Sequence, residues 1–227
     1  MMPMLDCVTL VFCILIGWLV SGVMLAIAKV RMRGKLPRGA VLVERQPNIA
    51  KDVAPGTRWS RLGVVFGIGV DSAAVFSMVV LCLTTLWADM APYLSVDFPV
   101  WLNGIGIAGM WVQDAWGTLV MIYNPNYTNL YKPIKGKYAL ATGGPYHIIR
   151  HPMYVGKVIQ TIFILFATGM WFVVLGFVTV VFLPRQARYE EEFLQERFGS
   201  HYTDYANQTG QFFPRLRMKN RELTFRE

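Results

Sequence analysis

The sequence predicts an all-α fold: a polytopic membrane helical bundle of about five transmembrane helices, closed by a C-terminal helical hairpin and a polar cytosolic segment. Three observations predict it. Apolar residues make up 54% of the 227 and charged residues 16%, with a mean hydropathy of +0.39, too apolar for a solvated surface. The apolar residues come in runs long enough to cross a hydrocarbon layer. The basic residues, which give a net charge of +8, gather in alternate loops, as the positive-inside rule expects.

Taken in order, Val8–Ala28 is the first span. No basic residue precedes it and no A-x-A site closes it, so a retained helix is favoured over a cleaved signal peptide. Lys29–Arg61 is a basic loop: Lys29, Arg31, Arg33, Lys35, Arg38, Arg45, Lys51, Arg58 and Arg61 stand against Glu44 and Asp52. Pro37, Pro47 and Pro55 break any long helix in it. Its charge places it in the cytosol. Leu62–Ala88 is the second span. Asp89–Phe98 follows as a loop with no basic residue, expected outside. Pro99–Tyr123 is the third span, with Trp101, Trp111 and Trp116 along it. Asp71 and Asp114 are acidic residues within spans; each either lines a cavity or sits at an interface. Asn124–Tyr138 is polar and cytosolic, with Lys132, Lys135 and Lys137, and Pro125 and Pro133 argue against a regular helix there.

From Val155 to Leu183 the chain is apolar again. At about 1.5 Å per residue, one helix of that length overshoots a ~30 Å core. Gly169 sits near its middle, so the run is expected to fold back as a hairpin, roughly Pro152–Ala167 and Met170–Arg188. A single long tilted helix is the other reading. The hairpin makes five spans and puts the N-terminus outside, with the polar segments on either side of the hairpin both in the cytosol. The membrane is the plasma (inner) membrane or the endoplasmic reticulum. Phe193, Leu194 and Phe198 recur at near-helical spacing, so Arg185–Phe198 reads as an amphipathic continuation of the last helix, capped by Gly199. Arg215–Glu227 reads as a frayed basic tail.

Some chemistries are excluded. The three cysteines, Cys7, Cys13 and Cys82, have no metal-ligand spacing and read as small buried hydrophobes. The three histidines, His147, His151 and His201, form no HExxH pattern, so no metal is expected. No basic stripe is interleaved with exposed aromatics, which argues against nucleic acid.

Two polar islands flank the hairpin. In the first, TGGPYHIIRHPMYVG, Gly143, Gly144 and Pro145 allow a tight turn. His151 falls near a helix N-cap and Pro152 at the first helical position. Free N–H groups at such a start favour an anionic group, and Arg150 and Tyr154 add donors. In the second, RYEEEFLQERFG, Glu190, Glu191 and Glu192 bring negative charge close to the membrane. A carboxylate there suits a ligand ammonium. A ligand needing both ends is a zwitterion with an amino-acid group. Each feature also has a bland reading: a His-Pro start is often only a cap, and a glutamate run beside Arg185, Arg188 and Arg197 is often a salt-bridged face.

The pair of islands resembles the isoprenylcysteine carboxyl methyltransferase family and its phospholipid methyltransferase relatives. Their shared pattern is G-x-Y-x-x-x-R-H-P-x-Y-x-G followed by E-E-x-x-L-x-x-x-F-G-x-x-Y-x-x-Y. Here it runs from Gly144 to Gly156 and from Glu190 to Tyr205. The resemblance implies a membrane-embedded methyltransferase that uses S-adenosyl-L-methionine without a Rossmann domain. It implies cofactor contacts from Tyr138, Ala139, Leu140, Ala141, Tyr146, His151, Pro152, Met153, Tyr154 and Glu190, with Arg150, His151 and Glu190 as the catalytic set. It divides the chain into a three-span region (1–136), a methyltransferase catalytic region (137–216) and a basic tail (217–227). The partners it implies are the bilayer and a lipophilic methyl acceptor, of the prenylcysteine carboxylate or lipid amine type; the oligomeric state is left open. In the prenylcysteine enzymes an arginine for the acceptor carboxylate stands four residues before the glutamate. That position is Gln186 here, so Arg185, Gln186 and Arg188 are the substrate candidates, and Arg188 is the one expected to meet the acceptor head. Membrane sterol reductases share H-P-x-Y-x-G but usually carry Asn and Asp where this chain has Met153 and Lys157, so an NADPH-dependent oxidoreductase is the alternative enzyme. A non-enzymatic membrane protein retaining the fold is the third reading.

Overall fold

The computed structural model describes residues 7–32, 35–44, 57–84, 86–124 and 137–215. Arg33, Arg45, Pro47, Lys51, Asp52, Pro55, Pro125, Lys132, Pro133, Lys135 and residues 216–227 lie outside the described residues. In chain order come α1 (Cys7–Met32), β1 (Val41–Glu44), α2 (Arg58–Leu83), α3 (Trp87–Leu94), α4 (Val100–Tyr123), β2 (Lys137–Leu140), α5 (Pro145–Ile148), α6 (Pro152–Thr168), a 3₁₀ segment (Trp171–Phe177), α7 (Val178–Phe198) and α8 (Ser200–Gln208). Four stretches are long and apolar enough to cross a membrane: Cys7–Ala28, Arg58–Leu83, Val100–Tyr123 and Trp171–Phe198. The fifth expected span, α6, has 17 residues, about 26 Å, and is the short arm of the hairpin. The protein is an integral membrane protein with an all-α bundle.

The hairpin forms where the sequence places it. Gly169 ends α6 in the left-handed region, at φ 68°, and its N–H bonds back to the Leu165 carbonyl at 2.8 Å. A side chain there would run into the Val96 carbonyl. The Val96 N–H in turn donates to the Gly169 carbonyl at 2.8 Å, which ties the turn to the segment after α3. The long-single-helix reading is therefore rejected. Past Pro184 the helix turns polar.

The bundle core gathers Leu10 and Ile14 of α1, Ala74, Val75 and Met78 of α2, Ile107 and Met110 of α4, and Ile164 and Ala167 of α6. Between membrane helices, close backbone approach supplies the packing that the hydrophobic effect does not. Gly106 and Gly109 allow α4 to lie directly on α6, against Ala167 and Phe163. Asn103 of α4 donates to the Phe166 carbonyl (3.0 Å) and the Ala167 carbonyl (3.3 Å), so α4 satisfies the end of α6. Gln113 Nε2 donates to the Gly156 carbonyl at 2.5 Å and Trp116 Nε1 to the Pro152 carbonyl at 3.1 Å, so it also fixes the beginning. Replacing Gly106 by alanine pushes a methyl into the Ala167 backbone and should cost about 1–3 kcal/mol. Thermal unfolding in detergent reads this as a lowered midpoint; an unchanged midpoint refutes the close packing.

Four expectations are corrected. The second span starts and ends earlier, at Arg58 and Leu83; the start is set by Thr57, whose side chain accepts from the Ser60 N–H. The loop Asp89–Phe98 is not wholly loop, since α3 occupies Trp87–Leu94. β1 and β2 pair antiparallel, Val41 opposite Leu140 and Glu44 opposite Lys137, inside segments read as irregular. Cys7 and Cys82 are not simple hydrophobes: they form a disulfide between the start of α1 and the end of α2, leaving Cys13 free and partly buried.

Candidate functional site

The site lies where the first turn of α6 meets the polar half of α7. Gly144 makes the approach possible: at φ 58° and ψ −129° it takes a conformation disfavoured for other residues, and a Cβ there would strike the Tyr123 ring. The chain then makes the short α5 and starts α6 with His151 as N-cap and Pro152 at the first helical position. Tyr146, on α5, is buried, and its hydroxyl accepts from Asn124 Nδ2 at 2.8 Å.

Successive residues on one turn of α7 face this helix start, and they divide the work. Glu191 binds protein. Its Oε1 accepts from Arg150 Nε at 2.8 Å and lies 3.0 Å from His151 Nε2, while Arg150 Nη2 reaches Oε2 at 3.3 Å. Glu190 faces the cleft. Tyr154 Oη donates a short hydrogen bond to its Oε1, and Gln186 Nε2 donates to the same oxygen at 3.1 Å. The other oxygen, Oε2, stands 3.6 Å from His151 Nδ1. His151 stacks on Tyr154, with ring centroids 5.4 Å apart.

Gln186 has a definite local role. It accepts from Ser60 Oγ at 2.8 Å through Oε1 and donates to Glu190 through Nε2. An arginine has no acceptor for Ser60. The amide thus orients Glu190 without neutralising it, and residue 186 places no cation on that carboxylate.

The C-terminal segment closes the far side. The Arg150 and His151 N–H groups donate to the Gly210 and Gln211 carbonyls at 2.8 and 3.1 Å. Arg150 Nη1 donates to the Ala206 and Thr209 carbonyls at the end of α8, at 3.0 and 2.5 Å. Tyr205 Oη donates to the Tyr146 carbonyl at 2.7 Å.

The cleft has a volume of about 90 Å³ and is lined by Asn124, Tyr146, Arg150, His151, Pro152, Met153, Tyr154, Glu190 and Leu194. It therefore gathers the expected Tyr146, the whole run Arg150–Tyr154, and Glu190. Ala139, Leu140 and Ala141 are buried behind it: Ala141 packs with Val120 and Tyr146, Leu140 with Phe198 and Tyr202. The backbone of Tyr138 lies in β2 opposite Val43, and its side chain is outside the description. Arg185 and Arg188 are exposed and do not line the cleft, whereas Gln186 is buried against Glu190. Asn124, Leu194, Ser60 and the part played by Glu191 were missed. The glutamate run signals a carboxylate, but only the helix phase decides which one faces inward.

A carboxylate with a free oxygen beside a helix N-terminus, at a membrane edge, is the arrangement that the paired motif led one to expect. Residues 102–201 match the model of the phospholipid methyltransferase family. The match runs from α4 to the start of α8 and includes both islands. It bears out the resemblance read from the motif. The chain is also similar to the cobalt-zinc-cadmium resistance protein CzcN of Cupriavidus metallidurans: 34% identity over 88 residues, covering 38% of this chain and 40% of that protein.

Proposed function

We propose that the protein transfers a methyl group from S-adenosyl-L-methionine to a lipophilic acceptor, of the prenylcysteine carboxylate or lipid amine type, at the cytosolic edge of the membrane. The observation that carries this is the pairing of Glu190 with the α6 N-terminus across one cleft. The donor set fits the amino-acid end of the cofactor: Glu190 suits an ammonium, and the helix start with Arg150 and His151 suits a carboxylate. When bound, the cofactor supplies a methyl group already activated by sulfonium charge.

The chain's own residues then have positioning work. Tyr154 and Gln186 hold Glu190 Oε1, so the carboxylate presents Oε2 to the ligand. Arg150 and Glu191 hold the C-terminal segment over the cleft and help keep water out. Alignment and water exclusion suffice for displacement at an activated methyl by a carboxylate, so no strong general base is required there; an amine acceptor must first lose a proton. An apolar groove of about 420 Å³ opens beside Tyr154, between α6 and α7, lined by Val155, Val158, Val180, Leu183 and Phe212 among others. It offers a bed for an acyl or prenyl chain.

The orientation rests on the disulfide and the loop charge. Disulfides persist in oxidising compartments. The Cys7–Cys82 bridge lies at the bundle end away from α5 and Glu190, which supports an N-terminus outside and a site inside.

The test is calorimetry with S-adenosylhomocysteine, followed by mass spectrometry of membranes supplied with labelled methyl donor. Saturable binding and a labelled lipophilic product support the reading. Binding of NADPH instead defeats it. Tyr154→Phe removes one hydrogen bond to Glu190 and should weaken S-adenosylhomocysteine binding about 5- to 10-fold in the same measurement.

A further inference from the structure

A second cavity adjoins the cleft on the opposite face of α6. It holds about 350 Å³ between α1, α4 and α6, and its lining includes Trp18, Gln113, Asp114, Met153, Lys157 and Gln160. Met153 lines both the cleft and this chamber, so the two spaces meet at that side chain. The α6–α7 groove meets the cleft at Tyr154.

The polar groups of the chamber are unbalanced. Gln113 spends an amide hydrogen on the Gly156 carbonyl. Lys157, the one cation lining the chamber among the described residues, is ion-paired with Asp71 and donates to Thr161 Oγ1 at 3.0 Å. Gln160 Oε1 is buried and accepts from nothing among the described residues. Asp114 is half-buried and has no hydrogen bond or ion pair among them. Lys157 and Asp71 cancel, so the chamber carries the charge of Asp114. An unpaired acidic side chain within a membrane helix is costly and marks a ligand or ion path. The donors that also face this space, Trp18, Ser21 and Thr118, are neutral, so the one charge without a counter-charge among the described residues is that of Asp114.

The acceptor of a methyl group must bring a nucleophilic heteroatom to the cleft. The apolar α6–α7 groove gives such an atom only the Tyr154 hydroxyl, which is already donated to Glu190. We propose that the nucleophile is seated in the chamber instead, and that Asp114, with Gln160, selects an amine head group over a carboxylate, the bound ammonium giving one proton to the Asp114 carboxylate before its nitrogen takes the methyl and the sulfonium leaves as a neutral thioether. Asp114 is then a specificity-determining residue on the acceptor side, separated from the cofactor cleft by Met153. This rests on the methyl-transfer reading for its purpose but not for its measurement.

The experiment titrates the full chain in lipid nanodiscs with octylamine, octanoate and octanol, with empty nanodiscs as baseline. Octylamine should bind saturably and octanoate should not. Asp114→Asn should weaken octylamine at least ~10-fold, the loss of one charge-assisted contact, and Asp114→Glu should restore most of it. S-adenosylhomocysteine affinity should stay unchanged in Asp114→Asn, which also reports that the fold is kept. Gly117→Leu is a second route. Gly117 lines the chamber and has open space where a side chain would grow, so leucine fills the cavity and should block octylamine without touching Asp114. Octanoate or octanol binding as tightly as octylamine overturns the proposal, as does octylamine binding indifferent to both variants. If wild-type protein binds octylamine but not S-adenosylhomocysteine, the methyl-transfer reading falls while the chamber's amine preference stands.

Discussion

Glu190→Gln should lower the affinity for S-adenosylhomocysteine by about 100-fold while leaving the thermal midpoint of the protein within a few degrees of wild type. Glutamine keeps the shape of glutamate and still offers an oxygen to the Tyr154 hydroxyl and the Gln186 amide. What it removes is the charge. Glu190 is one-quarter exposed and its Oε2 has only His151 Nδ1 nearby, at 3.6 Å, so little of the fold leans on that oxygen. Its neighbour is the contrast. Glu191 is tied to Arg150 and His151, and its loss should show first in stability. The two glutamates thus separate ligand from scaffold. Calorimetry and melting on Glu190→Gln and Glu191→Gln side by side test the division. Should Glu190→Gln bind normally while Glu191→Gln binds poorly with an unchanged midpoint, the assignment of the ligand carboxylate to Glu190 is wrong.

Much of this was legible in the residues. Hydropathy marks the long helices because a lipid-facing helix must be apolar almost all round. Gly169 marks the turn because only glycine enters the left-handed region cheaply, and the His151-Pro152 pair marks the helix start because proline is preorganised for the first position. What stayed hidden depends on distance in three dimensions. The β1–β2 pairing joins Val41–Glu44 to Lys137–Leu140 across two whole spans, and such short strands have little period to display. The Cys7–Cys82 bridge is invisible until α1 and α2 are known to be antiparallel neighbours. The choice between Glu190 and Glu191 turns on about 100° of helix rotation, which a run of identical residues does not record. Gln186 reads as a lost arginine in the sequence; beside Ser60 it becomes an amide that must both accept and donate.

Arg150→Met should destabilise the C-terminal cap by about 1–3 kcal/mol, because it breaks a part-buried pair and leaves the Glu191 carboxylate with His151 alone. The Arg150 and Glu191 side chains are 14% and 19% exposed, so water replaces little of what is lost. The same guanidinium also serves the Ala206 and Thr209 carbonyls at the end of α8, which are left without that donor. The apolar helices do not depend on it. Opening should therefore be local: residues 199–215 should exchange backbone hydrogens faster and become sensitive to protease while α1, α2 and α4 keep their protection. Ligand binding should weaken as well, since Arg150 lines the cleft and its N–H to Gly210 holds the segment above it. The double variant Arg150→Met with Glu191→Met separates charge from packing. A buried ion pair replaced on both sides by apolar groups often costs little, so the double variant should regain much of the lost protection. If instead the double variant opens as readily as Arg150→Met alone, the stranded carboxylate is not the cause, and the carbonyl contacts to α8 carry the stability.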